Sequence, residues 1–201
     1  MQFMPFLCSL LLLSQQAIAT DYFVSNNGND SNKGTQEKPW QSIAKVNTTI
    51  FNAGDRIFFQ SGQTFYGNLI LHEQNRPTLD QPITIASSGN GKAIIVAGNK
   101  DGILIKNKSG IIIRNLVVKG DDLNSNQGYG IKIINEKPGN KILHFVRIEN
   151  VEASCFRWAG IYVGGIPTDL PGVEAPEGSR YGYRNVLIKK CTAFDNMYYG
   201  I

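Results

Sequence analysis

From Gly54 onward, short apolar runs alternate with turns rich in Gly and Asn, and no run is long enough for a helix. The runs are residues 56–59, 68–71, 83–85, 93–96, 102–105, 110–119, 130–133, 146–153, 160–163 and 186–194. Three or four β-forming residues between turn signals predict an all-β chain of many short strands. Upstream the texture differs. Residues 26–34 (NNGNDSNKG) are turn chemistry, because Asn, Asp and Gly tolerate left-handed backbone and bond to nearby amides. In the stretch 41–52, Ile43, Val46 and Ile50 follow Trp40 at roughly helical spacing, which predicts one short amphipathic helix.

The runs repeat. IIIRNLVVKG (111–120) matches VRIENVEASC (146–155) and VLIKKCTAFD (186–195). Ile113, Ile148 and Ile188 align, as do Asn115, Asn150 and Lys190, and then Leu116, Val151 and Cys191. Downstream lie Gly130-Ile131, Gly160-Ile161 and Gly200-Ile201. The step from Ile148 to Ile161 is 13 residues, as is that from Ile188 to Ile201, whereas Ile113 to Ile131 takes 18, an insertion of five near 121–127. The return leg is 10 from Ile103 to Ile113, 17 from Ile131 to Ile148 and 27 from Ile161 to Ile188. A unit of 23 residues with all length variation in its turns is a solenoid signature. The pattern predicts one coil of a parallel β-helix per unit, with Asn115 above Asn150 in an interior amide ladder that Lys190 breaks. Cys191 should point inward and Cys155 sit at a turn, an arrangement that does not bring the two thiols face to face.

The segment FVSNNGNDSNKGTQEKPWQSIAKVN, followed by GDRIFFQSGQTFYGNLIL and PITIASSGNGKAIIVAG, resembles the entry segment of secreted right-handed parallel β-helix proteins of the pectate-lyase-like superfamily, and the later coils resemble their repeats. The resemblance implies an all-β, right-handed parallel β-helix with residues 40–52 as its N-terminal capping helix. That superfamily contains lyases, hydrolases, esterases, epimerases and non-catalytic surface proteins, so it leaves the activity open.

Residues 3–13 form an apolar run too short to span a bilayer, followed by Ala17-Ile18-Ala19, a small-x-small pattern. Residues 1–19 are expected to be a cleaved secretory signal, giving an extracellular protein that begins at Thr20 and does not insert into the membrane. The last coil stops in mid-strand at Gly200-Ile201, so the 201 residues are expected to be a fragment of a longer β-helix, folded as one domain from 20 onward. The net charge is +4, from 20 Lys and Arg against 16 Asp and Glu, with no basic run. That argues against nucleic acid as partner and leaves an acidic polysaccharide open. A monomer is expected.

Three turn regions carry candidate chemistry. Register arithmetic sets Trp158 beside Tyr198 and Arg157 beside Met197 on adjacent coils. Paired aromatic rings suit sugar stacking, and Arg157 suits a carboxylate, which makes Trp158, Tyr198 and Arg157 the candidate substrate-binding set. The same rings would equally well pack on each other to shield the coil edge. Asp121, Asp122 and Asp195 fall at equivalent turns. Asp121 and Asp122 are candidate ligands for Ca²⁺, the one cofactor considered, and ordinary solvated turn aspartates are the alternative. The long loop 164–183 carries Asp169, Glu174, Glu177 and Arg180. A lyase needs a base and a cation against a uronate carboxylate, and an inverting hydrolase needs two separated carboxyls. Arg157, Asp195 and Arg180 are the catalytic candidates. The reading is a carbohydrate-active protein, a polysaccharide lyase or glycoside hydrolase on an acidic polysaccharide. The alternative is a non-catalytic glycan-binding surface protein.

Overall fold

The computed structural model describes residues 19–137, 141–165 and 181–201. The expected signal segment and the loop residues Asp169, Glu174, Glu177 and Arg180 lie outside the described residues. Among the described residues, fifteen strands form three parallel sheets. Sheet A runs β1 (Asp21–Val24), β2 (Arg56–Gln60), β5 (Ile83–Ser88), β8 (Ile111–Arg114), β11 (Leu143–Glu149) and β14 (Tyr183–Lys189). Sheet B runs β3 (Thr64–Tyr66), β6 (Ala93–Val96), β9 (Leu116–Lys119), β12 (Glu152–Ser154) and β15 (Thr192–Phe194). Sheet C runs β4 (Leu69–Ile70), β7 (Ile103–Lys106), β10 (Ile131–Ile134) and β13 (Ile161–Gly164). The chain visits A, B and C in turn and rises one strand per circuit, which is a parallel β-helix.

Every strand is too short to bury its own apolar side, so stability comes from stacking like on like. In sheet A, Ile57, Ile85, Ile113, Ile148 and Ile188 pair in register across five coils. Sheet C stacks Leu69, Ile103, Ile131 and Ile161, and sheet B stacks Phe65, Ile95, Val118, Ala153 and Ala193. The alternate residues face outward, as the two-residue strand period requires. Strands β1 and β3 were not foreseen; both belong to the entry coils, whose spacing departs from the later repeat.

The aligned Asn positions do different work from that expected. Asn115, Asn150 and Lys190 hold left-handed backbone, with φ of 57°, 53° and 54°. They turn the chain from sheet A into sheet B and so divide each of the runs 110–119, 146–153 and 186–194 into two strands. Asn tolerates this conformation better than most residues. The Asn150 amide does donate to Asn115 Oδ1 at 3.0 Å, but on the exposed surface rather than in the interior. Lys190 interrupts the amide pairing and keeps the turn. The buried amides that bridge coils are instead Asn126 and Asn135, both fully buried. Asn126 Nδ2 donates to the Gly98 and Lys100 carbonyls, and its Oδ1 accepts from the Gly128 and Arg157 N–H groups.

The helix α1 (Ile43–Thr48) is six residues long and ends before the predicted stretch does. The Thr48 and Thr49 hydroxyls both donate back to the Lys45 carbonyl, and Thr49 is already extended. Ile50, assigned above to the apolar face, is accordingly half exposed, while Phe51 is fully buried. The helix covers the first strand of sheet C. Asn47 Nδ2 donates to the Asn68 carbonyl and its Oδ1 accepts from Ile70 N–H, both at 2.9 Å, so one amide stands in for the missing neighbour of β4. Cys155 and Cys191 are both free thiols, and Cys191 packs partly buried against the core. Among the described residues, no helix is long and apolar enough to cross a membrane.

The Gly-Ile pairs mark a corner where backbone runs against backbone. A Cβ on Gly102 would sit 2.4 Å from the Gly130 carbonyl oxygen, and one on Gly130 would sit 2.3 Å from that of Gly160. The Phe156 ring closes the same corner from inside, fully buried. Gly130→Ala is expected to destabilise by about 1–3 kcal/mol through overpacking, read as a lower denaturant midpoint at unchanged slope.

The turn 26–34 is tied to the helix through Asp30. Its Oδ1 accepts from the Gln41 and Ser42 N–H groups and its Oδ2 from the Ser42 hydroxyl, while Ser42 Oγ caps α1 at Lys45 N–H. Partial burial pushes the Asp30 carboxyl up, but these hydrogen bonds and the Lys45 charge outweigh it and hold the group below its ordinary value. A depressed folded-state value stabilises above the unfolded carboxylate range, near ~3.9, and that stabilisation disappears as pH falls through the folded value. Asp30→Asn should therefore flatten the fall in melting temperature on acidification below about pH 4, measured side by side with the unsubstituted protein.

Candidate functional site

The corner where sheet B passes into sheet C carries a row of aromatic rings. The turns before β10 and β13 and the matching turn of the last coil each place one ring: Tyr129, Trp158 and Tyr198. Backbone bonds hold the turns together, from Trp158 N–H to the Gly128 carbonyl and from Tyr199 N–H to the Trp158 carbonyl. Trp158 and Tyr198 stack with ring centroids 5.1 Å apart at 21°, and Tyr129 and Trp158 lie 6.4 Å apart, also at 21°. Tyr162 on β13 leans on Tyr129 at 5.3 Å and 49°. The Lys132 ammonium lies 4.6 Å above the Tyr129 ring.

The register arithmetic brings Trp158 and Tyr198 together, and the contact is ring on ring. Trp158 is turned toward aromatic neighbours on both adjacent coils, Tyr198 is half exposed, and the Tyr162 hydroxyl donates to the Gly165 carbonyl. Tyr129, Tyr162 and Lys132 belong to this ridge but were absent from the sequence reading. Counted back from the Gly-Ile pairs, Gly128 and not Tyr129 stands level with Trp158 and Tyr198, so register by itself does not place Tyr129 in the ridge.

Phe156, between Cys155 and Arg157, turns into the core, which leaves Arg157 outside beside the ridge. Its backbone is pinned to Asn126 Oδ1 at 3.3 Å, and its neighbour on the coil above is Met197, whose N–H donates to the Phe156 carbonyl. Asn196 locks the same turn by accepting from Phe156 N–H and donating to the Ala153 carbonyl.

The aspartates form a different arrangement. Gly120, Cys155 and Asp195 stack at one turn through Gly120 N–H to the Ser154 carbonyl and Cys155 N–H to the Asp195 carbonyl. Asp122 and Asp195 line a shallow surface cavity of about 690 Å³ with Leu123, Asn124, Ser125 and Cys155. Arg157 does not line it. Asp122 Oδ1 already accepts from the Asn124 and Ser125 N–H groups and its Oδ2 from the Ser125 hydroxyl, bonds that hold its carboxyl below the ordinary value. It stabilises its own loop. Asp121 lies outside this cavity, with its carboxylate toward Gly98. Among the described residues, no three His, Cys, Asp or Glu side chains group where they could hold a metal ion.

No family model matches the chain, and no curated protein matches it. Among solved structures, the selenomethionine derivative of the GH136 lacto-N-biosidase from Eubacterium ramulus matches with a TM-score of 0.63 and 22% identity. The match covers 86% of this chain and 34% of that one. The native form of that enzyme gives a TM-score of 0.55 at 22% identity, over 66% and 26% of the two chains. A rhamnogalacturonan lyase gives 0.33 at 18% identity, over 73% and 38%, too low to bear on the fold. The chain thus spans about a third of the length of the lacto-N-biosidase it matches, and what it shares with that enzyme is the parallel β-helix.

Proposed function

We propose that this chain belongs to a secreted carbohydrate-active protein, a glycoside hydrolase or polysaccharide lyase, that holds an acidic polysaccharide along the outside of its β-helix. The observation that carries the reading is the ridge of Tyr129, Trp158 and Tyr198 along the helix axis, with Tyr162 against Tyr129 and with Lys132 and Arg157 alongside. A glycan lying along that axis would meet an aromatic ring at each of three coils, spaced by the strand separation of ~4.8 Å. The two cations would face its carboxylates. The fold shared with a lacto-N-biosidase supports a carbohydrate ligand, with glycosidic hydrolysis among the reactions to be tested. Asp195 and Arg157 remain the described candidates for chemistry, with Arg180 beyond the described residues.

The second reading, a surface protein that binds glycan without cleaving it, is favoured by one observation. Asp122 and Asp195 share their cavity with neither Arg157 nor an aromatic ring of the ridge.

Trp158→Ala should weaken binding to polygalacturonate or alginate by about tenfold, the equivalent of ~1.4 kcal/mol, while Trp158→Phe keeps most of the stack and most of the affinity. Lower melting with unchanged glycan affinity in Trp158→Ala would show that the rings only pack on one another. Cleavage is read separately. Ultraviolet absorbance of unsaturated uronates reports a lyase and new reducing ends report a hydrolase, whereas binding with neither signal selects the surface-protein reading.

A further inference from the structure

On the corner where sheet C passes into sheet A lies a larger recess, about 1040 Å³, at the top of the ~300–1,000 Å³ range of small-molecule sites. Turns from three successive coils build it: the segment after β4, the turn after β7 and the turn after β10. The aromatic ridge contributes nothing to its wall.

The chemistry of the recess is cationic and donor-rich. Arg76 Nη1 donates to the Glu73 carbonyl at 3.1 Å, and Lys108 Nζ, coming from the next coil, donates to that same oxygen. Two cations thus converge on one neutral acceptor. Lys137, from the third coil, adds its charge to theirs. Among the described residues, Arg76, Lys108 and Lys137 have no carboxylate partner; the ion pairs are Arg56–Asp21, Lys92–Glu152 and Lys106–Glu136. Glu136, which also lines the recess, is therefore held by Lys106, and Glu73 offers its carboxylate charge only as partial compensation. Burial drives the Lys108 ammonium below its ordinary value, and the Arg76 and Lys137 charges lower it further against the opposing pull of Glu73.

Asn75 supplies an independent sign. It is 1% exposed and lines the recess; its Oδ1 accepts from Phe51 N–H at 2.6 Å, yet its Nδ2 is buried with no acceptor. A buried donor left unpaired is costly, and native folds normally satisfy it. In the wall of a cationic recess, an acceptor-rich anion or the water it carries is what would satisfy it.

The geometry points to an oxyanion-binding site in this recess, in which Arg76 and Lys108 hold a carboxylate or sulfate group on a small ligand, Lys137 adds to the field, and Asn75 donates from the wall. The site stands on residues separate from the aromatic ridge, and its failure would leave the glycan reading untouched.

The test is a calorimetric or NMR titration of the chain with glucuronate, inorganic sulfate and glucose. Glucuronate and sulfate should bind in competition, and glucose should not bind. Arg76→Gln with Lys108→Gln should weaken anion binding by about tenfold or more per cation removed. Lys33→Gln with Lys38→Gln, which removes the same net charge from the exposed entry loop, should leave it unchanged. Arg76→Lys with Lys108→Arg preserves both charges and should retain binding, which guards against misreading a folding defect. Sulfate without glucuronate would support the site and assign it to a free inorganic anion. Absence of binding by both anions would overturn the proposal, as would equal losses in the recess and entry-loop variants.

Discussion

Parallel, in-register hydrogen bonding between coils is the constraint on which everything else in this structure rests. A strand of three or four residues has no partner within its own coil. Its N–H and C=O groups are satisfied only by the strand one coil below and the strand one coil above. Because the pairing is parallel and unshifted, each side chain lies directly over its counterpart. Ile57, Ile85, Ile113, Ile148 and Ile188 therefore form a continuous column. A shift of one residue would turn the whole column outward.

The corners carry the remaining demands of that stacking. Where sheet A meets sheet B, Asn115, Asn150 and Lys190 supply a left-handed turn at the same height in successive coils. Where sheet B meets sheet C, Gly102, Gly130 and Gly160 let one coil's backbone lie on the next, and the Phe156 ring fills what space remains. Long inserted turns hang from these corners without disturbing the columns, which is why the unit length varies while the strand register does not. At the first coil no neighbour exists for β4, and the Asn47 amide takes that place.

The same repetition shapes the surface. A residue type that recurs at one turn becomes a row along the axis; Trp158 and Tyr198 are such a row, which Tyr129, offset by one position, extends. The recess on the sheet C to sheet A corner arises differently. Arg76, Lys108 and Lys137 occupy no common repeat position; they come together because turns of unequal length from three coils fold over one another. One corner thus carries an aromatic strip that climbs from coil to coil, and the other a half-open hollow lined by cations from three coils.

The sequence by itself determined the columns from Ile103 onward. The recurrence of Ile-x-Ile, the Gly-Ile pairs and the 13-residue step are enough to align the coils, because a parallel stack rewards identical residues at identical heights. The Trp158 and Tyr198 juxtaposition follows from that count alone. Tertiary structure decided which atoms each side chain offers. Trp158 and Tyr198 meet face to face; a residue count places them on adjacent coils and says nothing of ring orientation. Asn115 and Asn150 lie outside and Asn126 inside, because an αL turn points its side chain away from the core whereas the inserted loop folds Asn126 beneath itself. Asn75, Arg76 and Lys108 belong to one recess although about thirty residues separate Arg76 from Lys108. Turn lengths, not strand spacing, set that proximity, and irregular turns leave no period in the sequence from which it could be read.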